Sequence, residues 1–139
     1  SIHKEFCLPY DKVIHDALHN LGFKVVYHTC GGMTKILDSI LANGCDVSET
    51  LSPAGVGGDI VTDDDARLVY ETLHPHVALI GGMDQYNILE KGTPEQIEKE
   101  VARLFKLFGQ DGGYIMSASD HFFAAPVENL KAFANAART

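Results

Sequence analysis

The chain has 139 residues, of which 45% are hydrophobic and 22% charged, with a formal net charge of −8 when its seven histidines are neutral. That balance specifies a folded globular domain rather than a disordered segment. The acidic surplus argues against nucleic acid and anionic membrane surfaces as partners, and no apolar run approaches the roughly 20 residues needed to span a bilayer.

The start, SIHKEFCLPY, carries neither a secretory signal nor an initiator Met and opens beside a helix, so a segment of a longer chain is expected. Cys7, Cys30 and Cys45 are odd in number and widely spaced. They form no disulfide framework, which predicts a reducing, cytoplasmic setting.

Residues 9–21 place Val13, Ile14, Ala17, Leu18 and Leu21 at helical spacing, with Pro9 in the first turn and Gly22 just past the end. KVVYH, residues 24–28, is β-branched and aromatic and predicts a strand. A second helix is expected over 33–43, with Ile36, Leu37, Ile40 and Leu41 inward and Gly44 closing it. CDVSET, 45–50, reads as a weaker strand, followed by the Gly- and Pro-rich loop LSPAGVGGDI. A third helix begins near Asp63–Asp65, whose charges suit the positive end of its dipole. VALIGG, 77–82, reads as a strand covered on both faces. Thr93 as N-cap, Pro94 at N1 and Gln96 at N3 spell a capping box for a helix burying Ile97, Val101, Leu104, Phe105 and Phe108. GYIMSA, 113–118, is a fourth strand. A last helix follows Pro126, with Val127, Leu130, Phe133 and Ala134 inward.

The order α-β-α-β-α-β-α-β-α predicts one α/β domain over residues 1–139, with a parallel sheet. Four such strands could also form a small open sheet on their own, a self-sufficient flavodoxin-like domain. HTCGG after the first strand is not the G-x-G-x-x-G of dinucleotide folds.

In parallel α/β folds chemistry sits beyond the C-terminal ends of the strands. Here those ends carry His28, Thr29 and Cys30; Glu49, Thr50 and Ser52; Met83, Asp84 and Gln85; and Ser117, Ser119, Asp120 and His121. An imidazole and a thiol two residues apart suit zinc, which takes N and S ligands and leaves a position open in catalytic sites. Asp120 or His121 could complete that set, or the pair could transfer protons. The plain alternative is a half-buried His beside an inert Cys. Cys45 is expected in the core and Cys7 as a loop thiol. His15 and His19 read as solvated surface positions, His74 and His76 as structural residues at a strand entrance, and Asp63–Asp65 as a helix start.

Three stretches, FCLPYDKVIHDALHNLGFKVVYHTCGG, GGMDQYNILEKGTPEQIEKEV and GGYIMSASDHFFAAPVENLKAFANAA, resemble the uroporphyrinogen decarboxylase and corrinoid methyltransferase superfamily. The shared features are a PY-headed helix, H-x-C-G, a Gly-rich Asp motif, a GTPEE-like helix start, GGYI and P-x-E-N-L. The resemblance implies the C-terminal half of a (β/α)8 barrel, which needs its N-terminal half or a second copy. In the zinc-dependent methyltransferases of that superfamily, H-x-C supplies two zinc ligands and a later cysteine the third. His28 and Cys30 match the pair, while SASDH puts Asp120 near the third position, with His121 beside it.

The implied activity is methyl transfer from a methyl-corrinoid, free or on a corrinoid protein, to a small thiol. His28, Cys30 and Asp120 would hold zinc. Asp84, His121 and Glu49 would orient substrate or move protons, and Met83, Phe122 and Phe123 would line the tetrapyrrole mouth. The rival activity, metal-free decarboxylation of a porphyrinogen in tetrapyrrole synthesis, would rest on His121 and Asp84. Against it, that group's GNxDP, NLGHG and GLDW stand here as GGMDQ, SASDH and SETLSP. A third reading is a non-catalytic module that binds a tetrapyrrole or a partner subunit.

Overall fold

A computed structural model describes residues 1–138 and arranges four strands, Val26–His28 (β1), Val47–Thr50 (β2), Ala78–Met83 (β3) and Tyr114–Ala118 (β4), as one parallel sheet in the order β1-β2-β3-β4. Register is continuous across it: His28 pairs with Glu49, Glu49 with Ile80, and Ile80 with Ile115. The helices are Ile2–Phe6 (α1), Leu8–Asn20 (α2), Leu37–Asn43 (α3), Asp63–Leu73 (α4), Pro94–Leu104 (α5) and Val127–Ala136 (α6). Parallel neighbours need a crossover between them, and α3, α4 and α5 supply the three.

Local chemistry sets most helix ends. Thr62 and Thr93 each form a complete capping box, with Asp65 and Gln96 at N3. Gly22 and Gly44 take left-handed φ of 83° and 77° just after their helices, where a Cβ would be strained. Three expectations run long by two residues or more at their N-terminal ends: the 33–43 helix begins only at Leu37, the 24–28 strand at Val26 and the 45–50 strand at Val47. The residues before Leu37 serve a loop instead.

The two faces of the sheet differ. Leu79, Met83, Tyr27, Tyr114, Met116 and Ala118 join Ile40, Val69, Leu73, Ile97, Val101, Leu104 and Phe108 in the core under the helices. The alternate residues look the other way, and Val26 and Ile115 stay 51% and 55% exposed. VALIGG is therefore covered fully on one face only. A flavodoxin-like sheet has helices on both faces and does not run its strands in sequential order. Sequential order with one open face belongs to a barrel wall. The architecture is four consecutive strand–helix units, half of a (β/α)8 barrel.

Helix α2 corrects one expectation. Val13, Ile14 and Leu21 are exposed, and the inward line is His15 with Leu18. The helix packs on α1 and α3 and reaches the outer strand β1 through Tyr27, which leaves its Val13 flank exposed. His15 is no surface residue: it is 6% exposed, lies 2.9 Å through Nδ1 from the Asn43 carbonyl and meets Tyr27 edge-on. His19 lies 2.8 Å from Asp46, whose carboxyl is held well below the usual carboxylate range by Lys24, the Val25 N–H and His19. The last helix also differs, since Val127 is 67% exposed while Leu130 and Phe133 pack on the core.

Cys45 is buried as expected, and burial pushes its thiol up to about 11. His74 stacks on Tyr70 at 4.4 Å. No helix among the described residues is long and apolar enough to cross a membrane.

Candidate functional site

The strand ends build a linked line of titratable groups. His28 ends β1 and its register partner Glu49 lies in β2, so both project from the open face. His28 Nδ1–H donates to Glu49 Oε2 at 2.9 Å, so that in the neutral ring the Nε2 lone pair faces Cys30 Sγ, also at 2.9 Å. Beyond the sulfur, Asp120 Oδ2 stands 3.9 Å away. Asp120 Oδ1 accepts from the backbone N–H of His121 at 2.7 Å and lies 2.6 Å from its Nδ1. Those contacts, the backbone one first, hold the Asp120 carboxyl below its ordinary value. The line runs from β1 and β2 across the mouth to the loop after β4.

Beside it lies an open cavity of about 360 Å³ lined by His28, Glu49, Thr50, Ser117, Ala118, Asp120, His121 and Phe122. Thr50 is anchored at its rim, donating to the Thr29 carbonyl at 3.0 Å and lying 2.6 Å from Ser52 Oγ. Leu51 follows with φ of 56°, the one non-glycine residue with positive φ among the described residues. A branched side chain there stores roughly 1 kcal/mol or more of backbone strain. Strain of that kind clusters where a fold over-determines a functional turn.

The structure separates the candidate residues into those it gathers and those it does not. His28, Cys30, Glu49, Asp120 and His121 come together, and Phe122 borders them. Phe123 stands apart at 92% exposure, its ring 6.4 Å from that of His121. Met83 is a correction: it is fully buried in the helix-side core, because it shares the strand parity of Leu79 and faces away from the mouth. Asp84 is also placed elsewhere. Its Oδ1 accepts from the Tyr86 and Asn87 N–H groups, capping a π-helical turn over Gln85–Glu90, and its Oδ2 accepts from Asn87 Nδ2. It is absent from the cavity lining.

Among the described residues no group of three His, Cys, Asp or Glu side chains is placed to hold a metal ion. The donor chemistry nevertheless suits zinc. Tetrahedral zinc, with bonds of about 2.0–2.3 Å, keeps its donors about 3.5 Å apart; His28 and Cys30 stand 2.9 Å apart and Cys30 and Asp120 3.9 Å, so the donors would have to shift by about half an ångström to take it. A carboxylate on the far nitrogen of a ligating imidazole is the usual support for such a histidine. The strand-end position of Glu49 places it at the pocket, and its contact with His28 comes from their register partnership across parallel strands, which no local signal in the sequence shows.

Fold and site together define a strand-end site on half of a (β/α)8 barrel. The sequence model of the uroporphyrinogen decarboxylase (URO-D) family matches residues 1–139, and the chain belongs to that family. It is 33% identical over 141 aligned residues to a uroporphyrinogen decarboxylase of Pseudoalteromonas atlantica, covering 96% of this chain and 36% of that protein. It is 32% identical over 100 residues to the methylcobamide:CoM methyltransferase MtbA of Methanosarcina acetivorans, covering 70% of this chain and 25% of that one. Among solved structures, a methyltransferase from Methanosarcina mazei superposes with a TM-score of 0.75 at 18% identity, over 98% of this chain and 36% of the other. The chain thus spans about a quarter to a third of the relatives it matches.

Proposed function

We propose that the intact protein transfers a methyl group from a methyl-corrinoid, free or carried on a corrinoid protein, to a small thiol. His28 and Cys30 would hold zinc, with Asp120 as third ligand. One observation carries this: the line Glu49–His28–Cys30, with one imidazole nitrogen 2.9 Å from a carboxylate and the other 2.9 Å from a thiol. Zinc bound there would lower the pKa of a coordinated substrate thiol, giving a thiolate at neutral pH.

The chain's own residues do the rest. Glu49 fixes the tautomer of His28 and the direction of its ring. His121, with its side chain 80% exposed at the mouth, can take the proton the thiol releases, steadied by Asp120. Phe122 offers a flat apolar wall for a tetrapyrrole, with Phe123 outside it. Closing the barrel over the open sheet face requires further strand–helix units, from the same protein or a second copy. The 139 residues alone are therefore expected to be inactive.

A specific observation also supports a second reading, porphyrinogen decarboxylation: the 33% identity to the Pseudoalteromonas decarboxylase runs along nearly the whole chain. In that case His121 would be the proton donor and no metal would be needed. An assay of the intact protein with methylcobalamin and a small thiol separates the two. Thiol-dependent demethylation that a chelator abolishes is expected. Carbon dioxide release from a porphyrinogen that persists after metal removal, with no demethylation, would replace the first reading by the second.

A further inference from the structure

Cys30 sits on a short loop between β1 and α3, and a loop thiol is useful to a metal only where something holds it in place. The anchor comes from a distant part of the chain. Asp59, in the loop that leaves β2, accepts from Met33 N–H at 2.8 Å and Thr34 N–H at 3.2 Å on Oδ1. On Oδ2 it accepts again from Thr34 N–H at 3.1 Å and from Thr34 Oγ1 at 2.5 Å. The carboxylate thus gathers both amides and the hydroxyl that follow Cys30-Gly31-Gly32. The approach is so close that a Cβ on Gly32 would lie 2.8 Å from Asp59 Oδ2. Met33, 1% exposed, drives the same loop into the core.

On its other side the loop is tied to β2, where Thr29 N–H donates to the Glu49 carbonyl at 2.9 Å. Cys30 therefore lies between two fixed points. One is the strand that also carries Glu49, and the other is the carboxylate of Asp59. The segment bearing Asp59 is itself stiff: Pro53 and Ile60 bridge in parallel, and Gly55 O accepts from Asn87 Nδ2 at 3.2 Å.

We propose that Asp59 is a positioning residue for the strand-end site, holding the Cys30 loop so that its sulfur meets the lone pair of His28. This rests on the reading of His28 and Cys30 as metal ligands. Asp59 touches neither substrate nor metal, and it acts through the Met33–Thr34 backbone. Its contribution comes from hydrogen-bond acceptance rather than charge. An asparagine keeps an oxygen in the place of Oδ1 for the two amides; it gives up the second Thr34 N–H contact on Oδ2, while the Thr34 hydroxyl can turn to accept from the new amide group.

The test is zinc affinity of the intact protein, measured by competition with a chromophoric chelator, for wild type, Asp59→Ala and Asp59→Asn, with thermal unfolding recorded alongside. Asp59→Ala should weaken zinc binding about 10–100-fold, the range for a residue that orients a ligand. Asp59→Asn should stay within about threefold of wild type, whether or not its melting temperature moves. Equal affinity in wild type and Asp59→Ala would overturn the inference and leave the zinc reading standing. So would an Asp59→Asn loss as large as that of Asp59→Ala, since charge and not position would then be at work. A wild-type protein that binds no zinc would remove the zinc reading and this inference together.

Discussion

Replacing His28 with alanine is expected to cut thiol-dependent methyl transfer by the intact protein about a thousandfold. The argument is geometric. Among the described residues, His28 is the one whose side chain meets the side chains of both Glu49 and Cys30, at 2.9 Å on each side. Without it the thiol of Cys30 and the carboxylate of Asp120 face each other at 3.9 Å with no nitrogen between them. A metal acting as Lewis acid contributes several kcal/mol to the barrier, and each 1.36 kcal/mol is tenfold in rate, so losing it costs about 10³. Glu49→Ala, which leaves the imidazole in place but unoriented, should cost less, about 10–100-fold in metal affinity. Steady-state rates for both variants check the order. A His28→Ala enzyme within about threefold of wild type would show that the imidazole does no chemistry there.

The second large effect concerns the fold. Leu79→Ala should destabilise the protein by about 3 kcal/mol, since truncating a buried leucine typically costs 2–5 kcal/mol in lost transfer energy plus an unfilled cavity. Leu79 lies fully buried in β3, between β2 and β4, and faces the helix layer with Met83, Val101 and Leu104. Its position between two paired strands leaves little freedom for the site to collapse around the void. Denaturant unfolding gives the value through a shift in midpoint at constant slope. A loss below about 1 kcal/mol would mean that the sheet relaxes and that this layer is not the tight core it resembles.

The parts of this fold legible in the sequence are those set by neighbours along the chain. Thr93, Pro94 and Gln96 announce their helix within four residues, and Gly44 ends one in a single position. The site was half legible. Parallel strands gather their C-terminal ends whatever the residues are, so His28, Cys30, Glu49, Asp120 and His121 could be grouped in advance. Distance to a strand end, however, does not say which face of the pleat a side chain takes. Met83 stands at a strand end, where the mouth is expected, yet it has the parity of Leu79 and lies in the core. Asp84 followed a strand in the manner of a catalytic carboxylate, yet its short side chain caps the next turn. His15 shows the converse, a polar group buried because a carbonyl 28 residues away accepts it. Asp59 left no local trace, since its partners lie 25 and 26 residues earlier.

The central claim is that His28 and Cys30 form a zinc site, and the measurement that tests it most directly is the metal content of the purified intact protein beside Cys30→Ala. About one zinc per chain in the wild type, falling well below that in the variant, is expected, because a catalytic zinc takes three protein ligands and the variant leaves two. No zinc in either protein, or equal zinc in both, would contradict the account.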